Sequence, residues 1–321
     1  MPVYAVTPFM AQLIDRLVAE KEVEVATAVR YIRILMKLND DAPFKGLMFL
    51  KDKAGILKKI EGLQKSTQKT QVSAVAAVLS IQKAPVYRKM YKDWVSELNE
   101  RRAELEQERG DTMEKTDKEK ENWVGWEDVL KKREELGKEV AGMKLAGLTA
   151  AKYDTLLAYV ILCLYTMIPP RRNADYQEMF IVKKMPASPD TDKNYLVLSD
   201  RKFVFNRYKT AKHSGTQEIA IPEDLWSALQ LYLKTRDSRK PETRFLVRFG
   251  GENLGAINAI TRILNKTFGR KVGSSMLRHS YLSGKYGDVM EKMKEDATAM
   301  AHTVGEQKGY IRGSGDTIEL I

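Results

Sequence analysis

The sequence predicts a mostly helical, two-domain protein with one small antiparallel sheet in its second half, and three observations lead there. Apolar residues recur at helical spacing through most of the chain, four short β-rich runs cluster between residues 179 and 221, and composition shifts at 144–149. With 321 residues, 43% of them hydrophobic, the chain is long enough for two separate cores.

In 8–38, Leu13, Leu17, Val25, Val29, Ile32 and Met36 follow helical spacing, and 51–63 and 71–82 repeat that pattern. A helical first domain, 1–145, follows. Within it, 95–140 is dense in Glu, Lys and Arg at i, i+4 spacing and reads as a solvated helical hairpin or arm, with Gly110-Asp111 as its break. The second domain, 146–321, opens with a helix over 150–167 that Pro169-Pro170 ends. Strands are predicted at 179–183, 195–198, 202–208 and 217–221, the last two flanking a polar turn. Helical patterns resume at 222–235, 256–268, 274–286 and 288–301, leaving Gly287 between the last two.

Charge narrows the partner. Lys and Arg number 54 against 43 Asp and Glu, a formal net charge of +11, which points to an acidic polymer and first of all to nucleic acid. The excess is local in the first domain, because 51–92 holds 10 basic and 2 acidic residues whereas 93–145 holds 11 and 16. Lys58, Lys59, Lys65, Lys69, Lys83, Arg88 and Lys89 are therefore the candidate DNA contacts, with Lys266, Arg270 and Lys271 as further ones. Cys163 alone cannot form an intramolecular disulfide, and three histidines (213, 279 and 302) offer no zinc-like spacing, so neither a metal nor a cofactor is expected. The longest apolar run, 156–168, is too short to span about 30 Å of hydrocarbon, and 1–16 lacks a leader pattern. The expectation is a soluble, intracellular chain found with DNA, in cytoplasm or nucleus, and with no membrane partner.

Four basic sites and a tyrosine carry the chemistry. They are Pro169-Pro170-Arg171-Arg172-Asn173-Ala174-Asp175, then Tyr208-Lys209-Thr210-Ala211-Lys212, then Ser275-Met276-Leu277-Arg278-His279, and finally Ala301-His302 with Tyr310 eight residues on. Attack on a phosphodiester concentrates negative charge on its nonbridging oxygens. Arg172 and Arg278 can each offer paired N–H groups to those oxygens, which a lysine cannot do with the same geometry. His302 adds a third donor, Lys209 can protonate the leaving 5′ oxygen, and Tyr310 is the candidate nucleophile.

That order of residues resembles the catalytic domain of tyrosine recombinases and phage-type integrases, over residues 150–321. The resemblance implies the two-domain architecture of that family, a helical core-binding domain and an α/β catalytic domain closing on double-stranded DNA. It also implies cleavage and rejoining through a 3′-phosphotyrosyl intermediate, and a homo-tetramer on two DNA sites exchanging strands through a Holliday junction. Arg172-Asn173-Ala174-Asp175 has the family's Arg-x-x-Asp form, which favours Arg172 over Arg171 as the first arginine and makes Asp175 a partner that orients an arginine. Lys209 takes the family's turn-lysine position, with Lys212 as the fallback. Arg278 matches the second arginine, His279 is a usual neighbour, and Ser275 stands where the family has His. Ala301-His302 replaces the more frequent Gly-His. Pro169-Pro170 and Ser275 are more similar to integrases of large eukaryotic DNA viruses or their mobile elements than to bacterial ones. Two rivals stay open: strand relaxation of the type IB topoisomerase kind, and a DNA-binding protein without catalysis.

Overall fold

The computed structural model describes residues 6–109, 114–236, 244–255 and 258–311. The chain divides into two compact units, Met1–Thr112 and Met113–Ile321. Residues 113–145, grouped with the first domain by composition, thus pack with the second unit. The predicted break at Gly110-Asp111 lies outside the described residues.

The first unit holds α1 (Pro8–Lys21), α2 (Val25–Leu38), a 3-10 turn (Met48–Lys51), α3 (Lys53–Ile60), α4 (Lys65–Ser80) and α5 (Pro85–Arg109). Thr7 caps α1 by accepting a hydrogen bond from the Met10 amide, and Pro8 sits at its first turn, where a missing N–H costs nothing. Met10, Leu13 and Leu17 then face Ile32, Leu35 and Met36 of α2 and Val72, Val75 and Leu79 of α4 in one core. Trp94 of α5 closes that core, and its indole N–H donates to the Leu50 carbonyl at 3.1 Å. Among the described side chains of α5 none beyond Leu98 is buried, in keeping with the charged composition of that stretch.

The second unit holds α6 (Asp117–Asn122), α7 (Trp126–Ala141), α8 (Ala150–Thr166), α9 (Asn173–Gln177), β1 (Phe180–Val182), β2 (Tyr195–Val197), β3 (Lys202–Phe205), α10 (Ala211–Ser214), β4 (Gln217–Ala220), α11 (Glu223–Thr235), α12 (Ala259–Phe268), α13 (Ser274–Ala299) and α14 (Val304–Tyr310). Helix α8 is apolar on nearly every side and is the axis of the core, with Leu156, Val160, Ile161 and Leu164 fully buried. Cys163 lies inside the same helix at 0% exposure, and burial pushes its thiol up to about 11. Helices α7, α11, α12 and α13 all pack on α8. Among the described residues no helix is long and apolar enough to cross a membrane.

The structure departs from the sequence expectation at two points. The sheet runs β1-β2-β3-β4 and is mixed, because β1 pairs parallel to β2 while the other neighbours are antiparallel. The connection 183–194 is long enough to carry the chain back to the starting edge, which a parallel pair requires. Second, 274–286 and 288–301 are not two helices: α13 runs unbroken from Ser274 to Ala299, straight through Gly287. An interior glycine costs a helix about 1 kcal/mol, which two flanking helical segments can absorb.

Candidate active site

The arginine site is built on the short helix α9. Arg171 and Arg172 sit just before it, and their surroundings differ. Arg171 donates Nε to Asp175 Oδ2 at 3.0 Å and Nη1 to Gln217 Oε1 of β4 at 2.8 Å. Its guanidinium also lies 3.8 Å from the Phe205 ring centroid and 5.0 Å from that of Tyr208. Burial raises the Asp175 carboxyl above the usual carboxylate range, opposed by the charge and hydrogen bond of Arg171. Arg171 is thus a tie between α9 and the sheet. Half-buried Arg172 makes no side-chain hydrogen bond or ion pair among the described residues.

A relay of polar side chains connects this corner to α12 and α13. Tyr165 of α8 donates to Asn173 Oδ1 at 2.5 Å, and Asn173 Nδ2 donates to Thr261 Oγ1 of α12 at 2.8 Å. Gly273, the residue that starts α13, is so near that a Cβ there would stand 3.9 Å from the Thr261 methyl. Arg278 lies one turn into α13, close enough for its charge to favour the ionised form of the Tyr165 phenol, although burial dominates and pushes that phenol well above its ordinary value. Arg278 donates Nε to the Ser274 carbonyl at 3.3 Å and Nη2 to Ser275 Oγ at 3.1 Å, and no carboxylate pairs with it among the described residues. Ser275 is exposed and serves as an acceptor for that arginine. His279 points elsewhere, with Nε2 3.9 Å from Glu119 Oε1.

The turn lysine comes to the same corner. Buried Asn194 donates from Nδ2 to the carbonyls of Asp175 (3.0 Å) and Arg207 (2.9 Å), and its Oδ1 accepts from the amides of Asn206 and Arg207. That clamp ties the end of β3 to α9. Tyr208, whose hydroxyl donates to the Gly215 carbonyl at 2.7 Å, follows, and then Lys209, exposed and without a partner among the described residues. Lys212 lies within α10, also on the surface.

His302 and Tyr310 do not join them. The His302 amide donates to the Ala297 carbonyl at 3.0 Å, which fixes the histidine at the far end of α13. Arg278 and Ala297 are separated by 19 residues of continuous helix, about 28 Å at 1.5 Å per residue. Tyr310 stays with His302: their rings stack with centroids 5.8 Å apart and planes 22° apart. Tyr310 is 70% exposed, while both His302 ring nitrogens are buried with no hydrogen-bond partner. The chain reverses from α13 into α14 at Ala301, whose φ of 56° is a left-handed value that glycine adopts more easily. Thr303 and Glu306 then form a capping box that starts α14.

In the first unit the basic residues divide into two groups. Lys59 is paired with Asp40 and also donates to the Leu38 carbonyl, and Lys65 is paired with Glu108. Lys58, Lys69, Lys83, Arg88 and Lys89 make no hydrogen bond or ion pair among the described residues, and all but half-buried Lys69 are exposed. In the second unit Arg270 donates to the Trp123 carbonyl at 3.0 Å, and exposed Lys266 stands 4.0 Å from Asp154.

The sequence reading missed Tyr165, Asn194, Gln217 and Thr261, the residues that hold the arginine corner together. Tyr165 carried a faint signal, a tyrosine in the last turn of a largely apolar helix four residues before Pro169-Pro170. Nothing in the sequence marked the other three, because their roles depend on contacts between distant segments.

No protein-family model matches the chain, and no curated protein matches it. Among solved structures it is similar to the crystal structure of XerA recombinase, at 14% sequence identity and a TM-score of 0.33, over 96% of this chain and 95% of that one. A TM-score of that size does not define a shared fold.

Proposed function

We propose that this protein breaks and rejoins DNA by transesterification, as a site-specific recombinase or integrase with Tyr310 as nucleophile. The supporting observation is the pair Arg172 and Arg278, two arginines without carboxylate partners beside one polar relay, with the Lys209 turn clamped next to them. Arginines whose N–H groups are not taken up by a protein carboxylate can give them to a phosphate, and fixed donors of this kind act most strongly where charge develops. In the proposed step the Tyr310 oxygen forms a bond to phosphorus and the bond to the 5′ oxygen breaks. The Lys209 ammonium gives its proton to the leaving oxygen, and the phenol proton passes to water. The 3′-phosphotyrosyl link conserves the bond energy for religation.

A DNA-binding protein without catalysis is the second reading, favoured by the distance between Tyr310 and the arginines. One experiment separates the two. Incubated with a nicked suicide duplex, the wild-type chain is expected to form an SDS-resistant protein–DNA adduct, and Tyr310→Phe to form none. An adduct that persists in Tyr310→Phe overturns the nucleophile; no adduct from the wild type leaves DNA binding alone.

A further inference from the structure

We propose that Asn194 is the positioning residue for the proton donor of strand cleavage, holding the Lys209 turn at a fixed place relative to the helix that follows Arg172. This rests on the proposed function and adds to it a residue that touches neither the phosphate nor the leaving group.

Lys209 cannot place itself. Its side chain is exposed and without a partner among the described residues, and it belongs to the 206–216 connection, whose regular structure is the four-residue α10. A general acid has to lie within hydrogen-bond reach of the oxygen it protonates, and a misplacement of about 1 Å can cost about 10²-fold in rate. The backbone that carries the lysine must therefore be tied to the backbone that carries the arginines.

Asn194 makes that tie. It stands just before β2 at 5% exposure, and its own carbonyl accepts from the Phe180 amide at 2.8 Å, which fixes it to β1. The side-chain amide uses both of its N–H donors and both lone pairs of its oxygen, the whole capacity of an asparagine. One donor goes to the Asp175 carbonyl, three residues beyond Arg172 in a helix too short to pair its own carbonyls. The other donor and one lone pair go to the carbonyl and amide of Arg207, two residues before Lys209. Turned over, the amide would set its donors against two N–H groups and its oxygen against two carbonyls, so a single orientation fits. Aspartate would keep the acceptor contacts but face two carbonyls with an oxygen, and alanine would lose all four.

The base of the turn is closed beside this clamp. Asn206 Nδ2 donates to the Lys193 carbonyl at 2.8 Å, and Thr216 Oγ1 donates to Asn206 Oδ1 at 2.9 Å. The backbone is thus held up to the residues that precede Lys209, while the ammonium at the end of its stem stays free to reach a scissile bond.

Replacing the leaving 5′ oxygen by sulfur tests this. In a suicide duplex with a 5′-bridging phosphorothiolate, the bond from Tyr310 oxygen to phosphorus forms as the phosphorus–sulfur bond breaks. The sulfur leaves as a thiolate and needs no proton, because a thiol of the cysteine kind has a pKa of about 8.5. Lys209→Ala is therefore expected to be slow on oxygen and near wild type on sulfur, whereas Arg172→Ala is slow on both, since the nonbridging oxygens are unchanged. Asn194→Ala, its fold established by circular dichroism, should follow the lysine, about 10²-fold slower on oxygen and within a fewfold of wild type on sulfur. Added to Lys209→Ala, it should slow the oxygen duplex little further. An Asn194→Ala chain slow on both duplexes, or on neither, overturns the positioning role and leaves the tyrosine chemistry standing. If Asn194→Ala does not fold, exposed Thr216→Val, which removes one hydroxyl at the base of the turn, is judged by the same pattern. An inactive wild type overturns the proposed function and this role with it.

Discussion

Arg171 and Arg172 are adjacent in sequence and differ in their surroundings. Arg171 and Asp175 form an ion pair with only 13% and 4% of their side chains exposed, and breaking such a pair leaves a buried charge uncompensated. Arg171→Ala is therefore expected to lower unfolding stability by about 3 kcal/mol, read from the urea midpoint. Arg172→Ala should leave that midpoint in place and slow adduct formation by about 10²–10³. The reverse pattern would exchange their roles. Because burial raises the Asp175 pKa, the folded chain binds that proton at a higher pH than the unfolded chain does. The contribution of this group to stability accordingly grows as pH falls through the folded value and levels off below the unfolded one. At this scale the sequence was partly legible. The Arg-x-x-Asp spacing places a carboxylate one helical turn beyond the second arginine, but which guanidinium reaches it depends on Gln217 and Phe205, which arrive from the sheet, and on the Tyr208 ring in the turn after β3.

Helix α13 contains two glycines that differ in what surrounds them. A Cβ at Gly284 would lie 2.7 Å from Trp126 Cβ, an atom too close to its own backbone to swing aside, whereas Gly287 has open space around it. Gly284→Ala is expected to cost about 1–3 kcal/mol through overpacking, more than the roughly 1 kcal/mol it gains in helix propensity. A lower melting temperature with a changed near-ultraviolet signal from Trp126 would register the loss; a stabilised variant would mean that α13 is not seated on α7 as described. Apolar periodicity located most of the helices and all four strands. It could not reveal that β1 runs parallel to β2, since alternation records which face is buried and not which way the neighbour runs. Nor could it distinguish a glycine that breaks a helix from one that lets a tryptophan approach.

For the whole molecule the governing quantity is the net charge of +11, and its consequence for a nucleic-acid partner is release of counterions. Affinity for duplex DNA is expected to fall by about a thousandfold or more between roughly 50 and 200 mM salt, measured by fluorescence anisotropy; a flat response would exclude phosphate contacts as the source of binding. Within the first unit, neutralising Lys58, Arg88 or Lys89 should each reduce the salt slope by about one. Lys59 and Lys65 already face Asp40 and Glu108, so their removal should alter it less. The single cysteine has a further use. With Cys163 sealed inside α8 and its thiol held in the protonated form, labelling reagents have no native target. Thiols introduced on α9 and α14 would therefore take up spin or fluorescent labels cleanly, turning the chain into its own ruler for whether those two helices meet in solution, on DNA, or only across a pair of molecules.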